Sequence, residues 1–293
     1  MIKARPTAAV FVAGDAQLGE GPTWFAKEDR LRWVDILGGR LFSARADGSQ
    51  RTSRDFTHAV SAVVPRAAGG LAVAGDAGVL LLDNEGIVER LHQVEPDVAS
   101  NRLGDVGVDP AGRLWLGTLN RELILGRGGL YRLDPDGTLT QILSETSVAN
   151  GVGWSPDGSR MYFIDSATFR VDVFDYDVSD GSAHDRRPWV SVDHADGSPD
   201  GLAVDEEGGV WVALFGGGQV RRYAGDGSLD AVLSLPVRQV TSCCFGGPNL
   251  DLLYVTTARV ELDERSLLLE PLAGSVFVAD PGIAGLPQAE FGG

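Results

Sequence analysis

Gly208-Gly209-Val210-Trp211-Val212-Ala213, Gly218-Gln219-Val220-Arg221-Arg222-Tyr223 and Ala231-Val232-Leu233 follow one another with only turns between them. Each run is short, rich in apolar residues and bounded by turn residues such as Glu206-Glu207-Gly208 and Gly225-Asp226-Gly227, which predicts strands. The run centred on Trp211 has counterparts at Trp33, Leu71, Trp115, Tyr162 and Tyr254. These anchors recur every roughly 40 to 50 residues, the length of a propeller blade. Six anchors predict an all-β fold: a six-bladed β-propeller with four-stranded antiparallel blades, one domain over residues 1–293. The run Ala8 to Val12 is expected to add a strand to the blade containing Ser275 to Ala279, closing the ring and covering an edge.

Bulk properties narrow the function. The net charge of −16 disfavours nucleic acids and anionic membranes as partners. No stretch reaches the ~18 apolar residues of a membrane span, and the run Ala8 to Ala13 is too short for a signal-peptide core. The two cysteines, Cys243 and Cys244, are adjacent and read as small buried strand residues in a reducing compartment. A cytoplasmic protein without an obligate protein partner is expected. Gly153-Trp154-Ser155-Pro156-Asp157 misses the G-x-S-x-G pattern at its last position. There is no Walker loop, and His58, His92, His184 and His194 show no metal-ligand spacing along the chain.

Four polar residues recur in step with the blades. Glu20, Asp105, Asn150 and Asp200 each come about ten to thirteen residues before an aromatic strand centre. Innermost strands of a propeller all run the same way, so residues just before them are expected to ring one mouth of the channel. Three carboxylates and an amide oxygen suit a hard divalent cation, and clustered carboxylates repel unless a cation compensates them. Ser61 and Ser242 occupy similar offsets in the other two blades and could add hydroxyls or waters. Asp-Gly and Asn-Gly pairs are also common in turns, which is the plainer alternative for any one of the four.

The same residues sit in longer motifs. These are Leu18-Gly19-Glu20-Gly21-Pro22-Thr23-Trp24, Asp109-Pro110-Ala111-Gly112-Arg113-Leu114-Trp115, Asn150-Gly151-Val152-Gly153-Trp154-Ser155-Pro156-Asp157-Gly158, Pro199-Asp200-Gly201-Leu202 and Thr241-Ser242-Cys243-Cys244-Phe245-Gly246-Gly247. Their order and spacing over nearly the whole chain resemble the gluconolactonase and regucalcin (senescence marker protein) family. The resemblance implies a six-bladed propeller that hydrolyses sugar lactones with one divalent metal, held by Glu20, Asn150 and Asp200. It also implies an Arg-x-Asn-Asp motif whose arginine and asparagine contact substrate. Here the motif reads Arg102-Leu103-Gly104-Asp105, so Arg102 carries over and Gly104 replaces the amide. That change is expected to remove a donor and an acceptor from the substrate site and to enlarge the pocket. The stretch 119–128 resembles the family's lid, and would bring Arg121 and Glu122 to the substrate unless they are simply solvated loop charges.

Lactone hydrolysis needs a polarised carbonyl, a positioned water and a proton acceptor. Asp200 is the expected base and Asp105 the second candidate. Arg102 would orient the ring or steady negative charge, and Phe215 would wall the pocket. Calcium is the first expectation for the metal, with zinc, magnesium, manganese or ferrous iron as alternatives, because oxygen ligands accept all of them. The expected function is a metal-dependent hydrolase that opens an aldonolactone to the sugar acid. A metal-binding propeller without turnover and a related metal-dependent esterase or phosphotriesterase are the alternatives.

Overall fold

The computed structural model describes residues 6–76 and 78–293. Among these residues, twenty-four strands form six four-stranded antiparallel sheets. Five blades are consecutive in the chain: β2 to β5 (Gly19–Phe25, Arg30–Asp35, Arg40–Arg45, Thr52–Asp55), then β6 to β9 (Val60–Pro65, Leu71–Gly75, Gly78–Leu82, Val88–His92). They continue with β10 to β13 (Asn101–Val108, Leu114–Asn120, Gly128–Leu133, Leu139–Thr146) and β14 to β17 (Ala149–Trp154, Arg160–Asp165, Arg170–Asp177, Ser182–Ser191). The fifth is β18 to β21 (Ser198–Val204, Val210–Phe215, Gln219–Tyr223, Leu229–Ser234). The sixth combines β22 (Val240–Gly246), β23 (Leu252–Thr257) and β24 (Val276–Ala279) with β1 (Ala9–Val12), which pairs with β24 through Ala9 and Val278. The closing strand therefore comes from the other end of the chain, as its sequence led one to expect. Among the described residues no helix is long and apolar enough to cross a membrane.

The first strands of the blades touch in a closed ring, from β2 through β6, β10, β14 and β18 to β22 and back to β2. They line the axis. The aromatic anchors lie on the second strands, not on these, which corrects the sequence reading. The reason is steric. First strands converge so closely that a Cβ at Gly151 would stand 2.8 Å from the Asp200 carbonyl oxygen, and one at Gly201 would stand 2.5 Å from the Ser242 Cβ. On the first strands, rings such as Trp24, Trp154 and Phe245 come only after this crowded stretch, while Trp33, Trp115, Tyr162, Trp211 and Tyr254 are buried one strand further out.

Buried carboxylates tie the turns of the blades. Asp205, at the end of β18, accepts from Glu207 N (3.0 Å), Gly209 N (2.8 Å), Trp211 Nε1 (2.9 Å) and Arg222 Nε (2.6 Å). Asp109 repeats the pattern in the third blade with Ala111 N and Arg113 N. Asp205→Ala strips four donors of their acceptor, one of them on the buried Arg222 guanidinium. It is expected to cost about 3–5 kcal/mol, read as a lower urea midpoint; a loss under about 1 kcal/mol would mean that Asp230 and Glu207 hold Arg222 unaided.

Candidate metal and substrate site

Strand register decides which side chains reach the axis. In every blade the pairing of the first strand with the second skips one extra residue near the start of the first strand. Such a bulge re-aims side chains and is frequent beside active sites. Before the bulge, Gly19 opposes Asp35, Val60 opposes Gly75 and Leu103 opposes Thr118; Ala149 opposes Asp165, Pro199 opposes Leu214 and Val240 opposes Thr257. The next residue in each blade is therefore the equivalent one: Glu20, Ser61, Gly104, Asn150, Asp200 and Thr241. Glu20, Asn150 and Asp200 occupy matching positions, as their motifs suggested, but inside the first strands rather than before them.

Asp105 and Ser242 sit one residue later than that position, and the sequence reading is corrected there. A one-residue offset turns a strand side chain to the other face. Asp105 lines a cavity of about 470 Å³ with Val106, Cys243 and Phe245, and its Oδ1 accepts from Val106 N at 2.8 Å. Leu286 to Ala289 also line that cavity, in a C-terminal segment bridged to Asp205 through Gly285 and to Arg66 through Phe291. None of Glu20, Asn150 and Asp200 lines it. The true equivalents of the ring's other corners carry no acid. Ser61 Oγ donates to Leu103 O and Thr241 Oγ1 to Gly19 O, both at 2.6 Å, so these hydroxyls stitch neighbouring blades.

Asn150 and Asp200 meet directly. Asn150 Nδ2 donates to Asp200 Oδ1 at 2.6 Å and to Ser166 Oγ at 2.8 Å, which commits both amide hydrogens and leaves Oδ1 as the open atom. The strand starts are fixed by carboxylates that sequence reasoning missed. Asp165 accepts from Ser147 N and Val148 N, just before Asn150, and Asp35 accepts from Gln17 N and Leu18 N, just before Glu20. Both acids close a second strand, in Ile164-Asp165 and Val34-Asp35, and that shared place in the repeat is the signal that could have found them.

Burial raises the proton affinity of this group. Desolvation, reinforced by Asp105, pushes Glu20 up to about 8 against the opposing pull of Gly21 N–H and Arg102. Desolvation pushes Asp105 up to about 6. Asp200 is held well above the carboxylate range by desolvation, then by Glu20 and Asp105. The donor set fits a divalent cation: two carboxylates that resist ionising side by side, plus an amide oxygen that meets no donor among the described residues. Among the described residues, the one group of three carboxylate, imidazole or thiol ligands within 4.8 Å of one another is Asp175, His184 and Asp185. Glu20, Asp105 and Asp200 do not close to that distance, so Asp105 leaves the recurring set of three carboxylates and an amide, and the expected ligands Glu20, Asn150 and Asp200 remain. The Asp175 group lies on β16 and β17, largely exposed, and Asp175 already pairs with Arg187 at 2.6 Å.

A group whose folded pKa is raised binds its proton more tightly in the native state, so stability falls as pH climbs from the unfolded value toward the folded one. In chelator, the melting temperature is expected to fall by several degrees between about pH 5 and 8, and Glu20→Gln is expected to flatten the decline. An equally steep decline in the variant, followed by calorimetry, would contradict the assignment.

The remaining candidates separate. Arg102 is half-buried, with Nη1 donating to Leu103 O at 2.9 Å. Gly104 does not leave an open slot: a Cβ there would stand 2.7 Å from Ala149 O and 2.9 Å from Leu119 Cδ2, with Asn150 Oδ1 at 3.7 Å. The pocket is therefore not enlarged at this position; backbone and Leu119 fill the space. Arg121 pairs with Asp76 at 2.7 Å, whereas Glu122 is exposed. Phe215 is half-buried at the end of β19, opposite Ser198, two residues before Asp200. Cys243 and Cys244 are free and buried in β22.

Residues 18–259 match the family described as SMP-30/Gluconolactonase/LRE-like region. Regucalcin from Gallus gallus is 36% identical over 285 residues, covering 94% of this chain and 95% of the relative. The putative sugar lactone lactonase YvrE of Bacillus subtilis (strain 168) is 34% identical over 280 residues, covering 95% and 96%. The crystal structure of a calcium-binding protein, regucalcin, from Agrobacterium tumefaciens aligns with a TM-score of 0.92 at 30% identity, over 97% of this chain and 98% of that one. With the match spanning the strands that carry Glu20, Asn150 and Asp200, the chain belongs to the SMP-30/gluconolactonase/LRE-like family.

Proposed function

We propose that the protein is a metal-dependent hydrolase that opens a sugar lactone to its sugar acid. The observation that carries this reading is the placing of Glu20, Asn150 and Asp200 at one register position of three first strands, with the Asn150 amide hydrogens committed and its oxygen open. The lactonase named among the relatives supports it. Glu20, Asn150 Oδ1 and Asp200 would hold the cation, calcium being the first candidate. When bound, the cation polarises the lactone carbonyl as a Lewis acid.

The chain's own residues supply the rest. Asp200 accepts a proton from the attacking water, whose oxygen adds to the carbonyl carbon. Arg102 orients the lactone by hydrogen bonds to its substituents, away from the reacting carbonyl. As the ring C–O bond breaks, the leaving alkoxide takes the proton back from Asp200, and a carboxylic acid and a hydroxyl result. Asp105, turned toward the other cavity, acts on the site through its charge rather than as the base.

The test is acid release from a panel of aldonolactones, followed with a pH indicator with and without chelator. Turnover that chelator stops and added cation restores is the expected result. A second reading, a cation-binding propeller without turnover, is favoured by Gly104 at the position where the family resemblance places a substrate-contacting amide. Cation binding with no hydrolysis of any lactone would establish that reading instead.

A further inference from the structure

A second pocket, of about 260 Å³, is lined by Arg102 and Arg121 together with Asp76, Glu95, Asn101 and Thr118. Asp76 and Arg121 follow the ends of β7 and β11, and the antiparallel order of the blades puts those ends where the first strands begin. The pocket therefore opens at the same end of the channel as Glu20, Asn150 and Asp200.

Its two acids are already engaged. Glu95 accepts from Asn101 Nδ2 (2.9 Å), Thr118 Oγ1 (3.1 Å) and Tyr131 OH (2.7 Å), so its charge is absorbed by the wall. Asp76 pairs with Arg121 and also faces Ala59 N at 3.4 Å. Arg102 differs. Its only hydrogen bond among the described residues goes to the carbonyl of its own neighbour, Leu103, and no carboxylate lies within 4.0 Å of it. Burial weakens its hold on its proton, with Glu20, Asp76 and Asp200 opposing and Arg121 adding to the effect. A partly desolvated guanidinium with most of its donors unused is a costly arrangement unless a ligand supplies acceptors.

We propose that this pocket receives a free carboxylate on the substrate, held between Arg102 and Arg121, so that the preferred lactone is that of a sugar diacid with one carboxyl in the ring and one outside it. The planar guanidinium fork matches a carboxylate bidentately. A monoanion suits the pocket better than a phosphate dianion, because the Asp76 carboxylate lines the same walls and already holds Arg121. The substrate class rests on the lactonase reading; the pocket's preference for a second carboxylate can be measured without turnover.

The experiment compares an aldaro-1,4-lactone with the aldono-1,4-lactone of the same ring configuration, and the corresponding free diacid with the free monoacid. All are measured on the cation-loaded protein, by kcat/KM and by calorimetric binding. The acidic member of each pair is expected to lead by roughly ten- to hundredfold. Arg121→Gln is expected to lower that ratio about tenfold, whereas Asp76→Asn, which removes a competing charge, is expected to raise it. A merely structural Asp76–Arg121 pair would give losses of the same sign in both variants and would overturn the proposal. So would equal binding of diacid and monoacid, or a preference for a phosphorylated lactone. Failure to hydrolyse either lactone defeats the lactonase reading instead, and the binding ratio then decides the pocket's role.

Discussion

Asp200→Asn is expected to lower kcat on a lactone substrate by about 10²–10⁴-fold while the circular dichroism spectrum stays that of the parent protein. The substitution keeps the size of the side chain and one oxygen, but removes the basic carboxylate that accepts the proton from water. Asp200 is well placed for the role. It is buried and receives the Asn150 amide at 2.6 Å. Added cation should not restore this variant, because the missing function is proton transfer. A variant with parental kcat would remove Asp200 from the chemistry.

Glu20→Ala should behave differently. It removes one of two carboxylate ligands from a site with a single amide as its third, and cation affinity is expected to fall by at least about a hundredfold. Activity at ordinary cation concentration should vanish and return in part when cation is raised far above the new Kd. Calorimetric titration of the variant beside a saturation series in the activity assay reads both effects. Restoration of Glu20→Ala but not of Asp200→Asn would separate the holding of the cation from the handling of the proton. Unchanged affinity in Glu20→Ala would mean that the cation binds elsewhere.

The blade count and the closing strand were legible because both follow from local signals. Turn residues punctuate short apolar runs, and an aromatic ring marks the same strand in five of the six blades. The identity of the strands was not legible in the same way. The first strands are written in residues such as Gly19-Glu20-Gly21-Pro22 and Ser198-Pro199-Asp200-Gly201, which lack a strand's alternation because the axis is crowded and the register slips by one residue. The aromatic second strands carry the stronger signal, so the sequence alone points to them as the inner ones.

The same slip explains Asp105. Counting along the chain places it with Glu20, Asn150 and Asp200, but pairing with β11 places Gly104 there instead. Only the ladder reveals an offset of one. The pocket between Arg102 and Arg121 was out of reach for another reason: its walls come from β10, β11 and connections of the second and third blades, and the Asp76–Arg121 pair joins residues that no motif links. The group of Asp175, His184 and Asp185 likewise forms across a strand pair rather than along the chain.

The most direct measurement is anomalous diffraction from a crystal soaked in manganese or calcium. The expected result is one strong peak on the propeller axis, with the Glu20 and Asp200 carboxylates and Asn150 Oδ1 within about 2.0–2.6 Å of it. A peak held by Asp175, His184 and Asp185 with nothing on the axis would contradict the assignment of the site.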